Sequence, residues 1–442
     1  MDIAVGPSAA SSRIIGPVFL HTSWRTVGTW LWSRFRMVEG TRCFYEPLHE
    51  ELATLSRDDI ARLRPDNWPS GHPDLTRPYY DEYADLLNAD GIGVQRYHDA
   101  FAIDQLLCPP ETRLPDLRAY LDALIAAAEG AGTVPVLKFC RSMGRSAWMR
   151  RNFPHAVHIT VMRNPASQWS SARRQYLRHD NPYFVAAPLR ALASNRRTAQ
   201  VVQVADAMGV QLPKLAGHDL AEDLALCTAE MARLTPEAAY RTFLAFWLLN
   251  ALSGTDGADM VIDTDLLALS STYRDATREG LATLTGIELD LDTVSQECAG
   301  LSGSDSAVCL GLEPRQILRC HADAQRVLLN WDRQEVSVGL VRASAMLSFA
   351  SLLGTPEGAV LRAAGVQWLP EWDGIVAEAH QFKDRLQVLE RRAKTAESEL
   401  SALRNSHSWM LTAPLRVATV RIRSLLGRPI SVGGEAREAL PH

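Results

Sequence analysis

The seven cysteines, at 43, 108, 140, 227, 298, 309 and 320, contain no C-x-x-C pair and no Cys/His cluster at zinc-ligand spacing. A disulfide framework and a structural zinc are both unsupported, and reduced thiols in a cytosolic chain are the expectation. A basic excess is missing as well: 46 Lys and Arg stand against 51 Asp and Glu, for a net charge of −5 and a pI near 6.2. Binding a nucleic-acid backbone needs concentrated positive charge, so no nucleic-acid partner is expected and any anion site must be local. No uncharged apolar run reaches the roughly 18 residues of a membrane span. The first residues, MDIAVGPSAASSR, have neither the basic segment nor the apolar stretch of a secretory signal. The chain reads as cytoplasmic, with peripheral contact at the inner face of a membrane as its nearest approach to lipid.

What is present is ordinary globular material: 442 residues, 47% apolar and 22% charged, enough for a large core and two or three domains. From about Ile14 to Asp290 short apolar runs alternate with helical stretches, the pattern of an α/β layer fold. Strands are expected at GPVFLH (16–21), VPVLKF (134–139), HITVM (158–162) and DMVIDT (259–264), each followed by a turn and a helix-like stretch. Strands so separated need crossover connections, hence a parallel sheet flanked by helices. The Ala- and Leu-rich text from Pro182 to Leu252 predicts a helical cap or flank. Past Pro370, the residues Ile375, Ala379, Phe382, Leu386, Leu389, Ala393, Ala396, Leu400 and Leu403 alternate steps of four and three. This seven-residue repeat predicts a coiled coil over 371–404, through which the chain would form a homo-oligomer or meet an assembly partner. A single amphipathic helix docked on the domain is the alternative. Arg416, Arg421, Arg423 and Arg428 then mark a basic amphipathic tail, 405–442.

The stretch TSWRTVGTW (22–30) follows the first expected strand and opens a helix. Such a junction gathers backbone N–H groups and the positive end of a helix dipole at one point, which suits an anion. Arg25 adds a fixed cation, Thr26 and Thr29 add hydroxyls, and Gly28 permits close backbone approach. The stretch does not fit G-x-x-x-x-G-K-[ST], so the usual nucleoside-triphosphate loop is not indicated. A second strand-turn-helix, HITVMRNPASQWSSARR (158–174), places Arg163 at a strand end and Ser171 eight residues later. Guanidinium binds phosphate in a bidentate manner, and a hydroxyl two helical turns on can donate to the same group.

Together these stretches resemble the sulfotransferase family. The first is similar to the family's 5′-phosphosulfate loop, T-Y-P-K-S-G-T-T-W-L: Thr22, Thr29, Trp30 and Leu31 match directly, Arg25 stands in the lysine position and Thr26 in the serine position. Val27 occupies the usual glycine position and Gly28 the following threonine position, so the glycine has moved by one. The second stretch is similar to the family's 3′-phosphate motif, with Arg163-Asn164-Pro165 matching its common R-N-P. The resemblance spans about 14–350. It implies a P-loop-kinase-like α/β domain and 3′-phosphoadenosine 5′-phosphosulfate as co-substrate, held by Arg25, Thr26, Val27, Gly28, Thr29, Trp30, Arg163 and Ser171, with no metal required.

The resemblance also implies sulfuryl transfer to a hydroxyl, which needs in-line attack, a base, and positive charge at the leaving phosphate. Arg25 remains protonated and so supplies charge rather than a proton. FYEPLHEEL (44–52) is similar to an F-E-P-L segment of carbohydrate sulfotransferases, making Glu46 the expected base and His49 its runner-up, with His98, His155 and His158 as further possibilities. Lys138, Arg141 and Arg145 either line the anion site or, for at least two of them, serve as surface charge. The 11 tryptophans, with Trp24, Trp30 and Trp32 around the loop, lean toward a carbohydrate acceptor, a glycan or a lipid-linked precursor. The tail S-x-S-W-x-L-T-A-P-L-R (406–416) resembles the ends of bacterial polysaccharide-biosynthesis proteins. Two alternatives stand: a glycosyltransferase, for which Asp263-Thr264-Asp265 would be the D-x-D, and a non-catalytic nucleotide-binding scaffold.

Overall fold

Five short segments form the sheet: β1 (Val18–His21), β2 (Thr41–Tyr45), β3 (Val134–Phe139), β4 (Val157–Met162) and β5 (Met260–Asp263). The computed structural model describes residues 16–62, 75, 77–103, 106–217, 219–294, 311–330, 343 and 346. Neighbouring strands all pair in parallel, in the order β2-β3-β1-β4-β5. A parallel sheet is covered on both faces, which is why β1, β3 and β4 read as nearly unbroken apolar runs. Hydropathy reveals four of the five strands. It misses β2, an edge strand whose TRCFY begins with two polar, half-buried residues and buries only the last three.

Twelve α-helices with described bounds, besides short 3-10 turns, accompany the sheet. They are α1 (Gly28–Arg36), α2 (Arg57–Arg62), α3 (Pro115–Gly130), α4 (Ser146–Asn152), α5 (Pro165–His179), α6 (Tyr183–Ser194), α7 (Ala199–Met208), α8 (Leu220–Arg233), α9 (Pro236–Ser253), α10 (Thr264–Leu269), α11 (Ser271–Thr285) and α12 (Pro314–Leu329). The α5 boundaries follow from local chemistry. Asn164 accepts from the Ser167 N–H at 2.9 Å, Pro165 occupies the first turn, where its missing N–H costs nothing, and the chain leaves through Asp180 in the left-handed region. The expected helical flank is present as α6 to α9. It has its own apolar core, where Leu192, Tyr240, Phe243 and Leu248 pack with Trp169 of α5. A second core joins the sheet to α1 and α3 through Phe19, Leu137, Ile159, Trp32 and Tyr120.

The strand order creates a switch point. From β1 the chain crosses outward to β2, on one side, while from β4 it crosses to β5, on the other, yet β1 and β4 are adjacent. Their connections diverge, so a crevice opens beyond the carboxyl ends of β1 and β4, the usual ligand position in such sheets. Both stretches expected to bind an anion, 22–30 and 163–171, begin there.

The chain divides into two units, 1–369 and 370–442. The expected coiled coil (371–404) and basic tail (405–442) lie outside the described residues. Among the described residues no helix is long and apolar enough to cross a membrane.

Candidate functional site

The turn after β1 is held tightly from within. Thr22 donates to the Phe139 carbonyl through both its N–H and its hydroxyl, each at 2.8 Å, and Thr26 donates to the Ser23 carbonyl at 2.9 Å. The Thr26 hydroxyl, expected to face a phosphate, therefore braces the turn. Two non-glycine residues of the turn, Arg25 and Val27, take the left-handed conformation, both with φ 66°. Val27 is the residue before α1, and it offers the helix no side-chain cap. The first-turn N–H groups of α1 are left for another acceptor.

The displaced glycine now has a reason. Gly28 has an ordinary φ, but a Cβ there would lie 2.6 Å from Cγ2 of Thr22 and 2.8 Å from its Cβ. Contact with Thr22 demands glycine at 28, while the left-handed torsion falls on Val27, where a β-branched side chain is costly.

The two motifs meet. Arg25 Nε donates to Ser171 Oγ at 3.0 Å, across 146 residues of sequence. One terminal nitrogen of Arg163 donates to the Arg25 carbonyl at 3.1 Å. Arg163 also faces Asp265, 3.5 Å from Nε. The other oxygen of Asp265 accepts from the backbone N–H and side-chain amide of Asn164, at 2.9 and 2.8 Å. The Arg25 guanidinium lies 4.9 Å from the ring centre of Phe184, at the start of α6.

Beside this pair lies a buried charge network. Lys138 is 1% exposed, Arg141 3% and Arg145 1%. This corrects the expectation that at least two of them are surface charges. Lys138, near the end of β3, pairs with Glu46 and donates to Thr29 Oγ1 at 3.4 Å. Arg141 donates to Glu46 at 3.3 Å and to Glu50 at 2.8 Å. Arg145 donates to the carbonyls of Phe101 and Ala102. Apolar-looking text around LKFCRSMGR gives no hint of this burial, because each cation is satisfied by a residue far away in sequence.

Glu46 itself has φ 48° and accepts from the Cys140 N–H at 2.9 Å in addition to its two cations. Burial pushes its carboxyl up, but Lys138 and Arg141 outweigh it and hold the pKa below the usual carboxylate range. A carboxylate so held is a weak base. His49 caps the short turn Glu50–Ala53 by accepting from the Glu51 N–H at Nδ1 (3.2 Å). Burial and Arg141 lower its pKa, so it is neutral near pH 7. Glu50 is drawn down to about 2: burial opposes the shift, and Arg141, His49 and Arg190 overcome it.

The other histidines lie elsewhere. His98 and His155 are exposed, and His155 precedes β4, at the amino end of the strand and away from the crevice at its carboxyl end. His158 is buried and its Nε2 meets the Phe153 carbonyl at 3.1 Å, so that nitrogen carries the proton. Its Nδ1 must then accept from His21 Nε2 at 3.0 Å, and His21 Nδ1 from the Ser142 hydroxyl at 2.8 Å. This chain of neutral groups ties the end of β1 to the loop after β3.

Trp24, Trp30 and Trp32 are 7%, 2% and 0% exposed. Trp24 stacks on Phe246, with ring centres 5.1 Å apart, and Trp30 donates to Thr293 at 3.1 Å. All three are packing residues, so the tryptophan-based leaning toward a sugar finds no open ring face here. The D-x-D pair is likewise engaged: Asp263 accepts from the N–H groups of Asp265 and Leu266, and Asp265 holds Arg163 and Asn164. Among the described residues no group of three or more His, Cys, Asp or Glu is arranged to hold a metal ion.

Sequence reasoning misses Arg190 and Tyr183. Arg190 donates to Glu50 at 2.8 Å, and Tyr183 accepts from Arg141 at 2.7 Å. Their signal is faint: a lone arginine and an aromatic seven residues apart on an alanine-rich helix. Around the crevice Arg163 is paired with Asp265, and Lys138, Arg141 and Arg190 share Glu46 and Glu50. Comparison of the chain with family models, with curated proteins and with solved structures finds no match.

Proposed function

We propose that the chain is a sulfotransferase that moves a sulfuryl group from 3′-phosphoadenosine 5′-phosphosulfate to a hydroxyl of a carbohydrate acceptor. The observation that carries this reading is the meeting of Arg25, Ser171 and Arg163 at the switch point between β1 and β4. Two motifs chosen from sequence for two phosphate groups of one donor would be expected to converge, and these do. The strand order supports the P-loop-kinase-like reading of the domain.

In this reading the uncapped first turn of α1, with Arg25, holds the 5′-phosphosulfate, and Arg163 with Ser171 holds the 3′-phosphate. The acceptor oxygen attacks sulfur in line, the bond from sulfur to the phosphate oxygen breaks, and the phosphate departs with its electron pair. Arg25 and the nearby Lys138 stabilise that charge. The acceptor's proton goes to a base. Of the two expected bases, Glu46 is held as a weak base by Lys138 and Arg141, and His49, neutral near pH 7, would take the proton at Nδ1 on releasing the Glu51 N–H.

The test is thermal stabilisation by 3′-phosphoadenosine 5′-phosphate, with UDP and ATP as controls. Stabilisation by the first alone is expected. Stabilisation by UDP alone would replace this reading with a glycosyltransferase, and no response to any of the three would leave a scaffold. Transfer of ³⁵S from labelled donor to extracted glycans then tests the chemistry.

A further inference from the structure

The corner formed by Glu50, Arg141, Arg190 and Tyr183 is not used by either donor phosphate. Glu50 is clasped from two sides, by Arg141 through one oxygen and by Arg190 through the other, each at 2.8 Å. One carboxylate thus fixes two guanidinium groups brought from different elements, the loop after β3 and the helix α6. Both arginines are more than nine-tenths buried. Yet the Nε–H of Arg141 and the Nε–H of Arg190 are buried with no hydrogen-bond partner.

Unmet buried donors on charged groups are expensive, and two on neighbouring arginines mark a place where an acceptor is wanted. The local charge balance agrees. Among the described residues Lys138, Arg141 and Arg190 are matched by Glu46 and Glu50 only, so three cations there face two carboxylates. Tyr183 accepts from Arg141 through its hydroxyl oxygen, which leaves the hydroxyl hydrogen to donate. Burial holds that phenol protonated, its pKa raised above the ordinary tyrosine value despite Arg141. The corner therefore offers donors beside three cations that face two carboxylates, where an anion makes its strongest bonds. It adjoins the donor crevice through α6, because Phe184, next to Tyr183, lies against the Arg25 guanidinium.

We infer that this corner is the acceptor subsite and that the acceptor is an acidic sugar, whose anionic group is received by Arg141, Arg190 and Tyr183. The inference rests on the sulfotransferase reading for the word acceptor, but the anion site stands on its own residues. A carboxylate and a phosphate monoester would satisfy the same donors, and the experiment separates them.

Wild-type protein, alone and saturated with 3′-phosphoadenosine 5′-phosphate, is titrated with glucuronate, glucose 6-phosphate and glucose at matched ionic strength. Thermal shift and ligand-observed NMR are the readouts. One of the acidic sugars is expected to bind and glucose is not. A response to glucuronate identifies a uronate-type acceptor, and a response to glucose 6-phosphate a phosphorylated one. Arg190→Gln should raise the half-saturating concentration of the acidic sugar about tenfold or more, while its response to 3′-phosphoadenosine 5′-phosphate matches that of wild type. Arg190→Lys keeps the charge and the Glu50 pair but loses the Nε donor. It should show the same direction of change and covers the case in which Arg190→Gln fails to fold. Equal binding of glucose and the acidic sugars, or unchanged acidic-sugar binding in the folded Arg190 variant, overturns the inference. Failure of 3′-phosphoadenosine 5′-phosphate to bind while the acidic sugar still depends on Arg190 would refute the donor reading alone.

Discussion

The turn before α1 makes opposite demands on two adjacent residues, and exchanging each in turn measures them. In Gly28→Ala the new methyl would sit 2.6 Å from Thr22 Cγ2, 2.8 Å from its Cβ and 2.9 Å from its Oγ1. Thr22 is poorly able to yield, because its N–H and hydroxyl both bind the Phe139 carbonyl at 2.8 Å. Overpacking of this kind costs about 1–3 kcal/mol, against which alanine's helical preference returns at most about 1 kcal/mol. The net expectation is a loss of about 1–2 kcal/mol, by these two principles together. Val27→Gly works the other way. It removes a half-buried isopropyl group that packs against the core and adds freedom to the unfolded chain, together about 2 kcal/mol. It also relieves left-handed strain of about 1–3 kcal/mol. The change should therefore lie within about 1 kcal/mol of zero, far less than such a truncation costs at an unstrained position. Urea denaturation of both variants is the assay. Thr22→Ser, which removes Cγ2 and keeps the hydroxyl, should recover part of the Gly28→Ala loss in a double-mutant cycle. If Gly28→Ala is as stable as wild type, or if Val27→Gly is the more damaging of the two, the account of the displaced glycine is wrong.

Acid should weaken the fold before the carboxylates titrate. Burial holds His321 down to about 4 and lowers His21, with His158 acting on it further, while His158 is itself lowered chiefly by burial. The folded state thus binds fewer protons than the unfolded one below the ordinary histidine pKa of about 6.5, and stability is lost as pH falls through that value. His321 alone contributes a loss of about 2 kcal/mol between pH 7 and pH 5, with His21 and His158 acting in the same direction. Denaturation midpoints measured across that range should fall in wild type and fall less steeply in His321→Gln; a flat wild-type profile would contradict the buried neutral assignment. Glu46→Gln leaves Lys138 and Arg141 buried without their shared counter-charge, and should cost about 3–5 kcal/mol of stability. His49→Gln should cost less stability but lower the rate of ³⁵S transfer and alter its pH profile. A stable, fully active His49→Gln together with a stable, inactive Glu46→Gln would return the role of base to the glutamate.

Sequence alone determines the layer architecture, because strand and helix periodicities are local properties: four of the five strands, the turn after each, and the helical flank from α6 to α9 can be read from apolar runs and their spacing. It also singles out Arg25, Arg163 and Ser171, since arginine at a strand end before a helix is a local anion signal. β2 escapes because an edge strand with one buried end lacks the alternation or continuous run that hydropathy detects. Only the tertiary structure decides the rest. The order β2-β3-β1-β4-β5 brings the ends of β1 and β4 together and so joins Arg25 to Ser171. The burial of Lys138, Arg141 and Arg190 depends on Glu46 and Glu50 arriving from another strand end. The place of glycine in the turn is set by Thr22 six residues earlier, folded back to within van der Waals reach. Charges and close contacts of this kind are properties of pairs distant in sequence, and no single segment carries them.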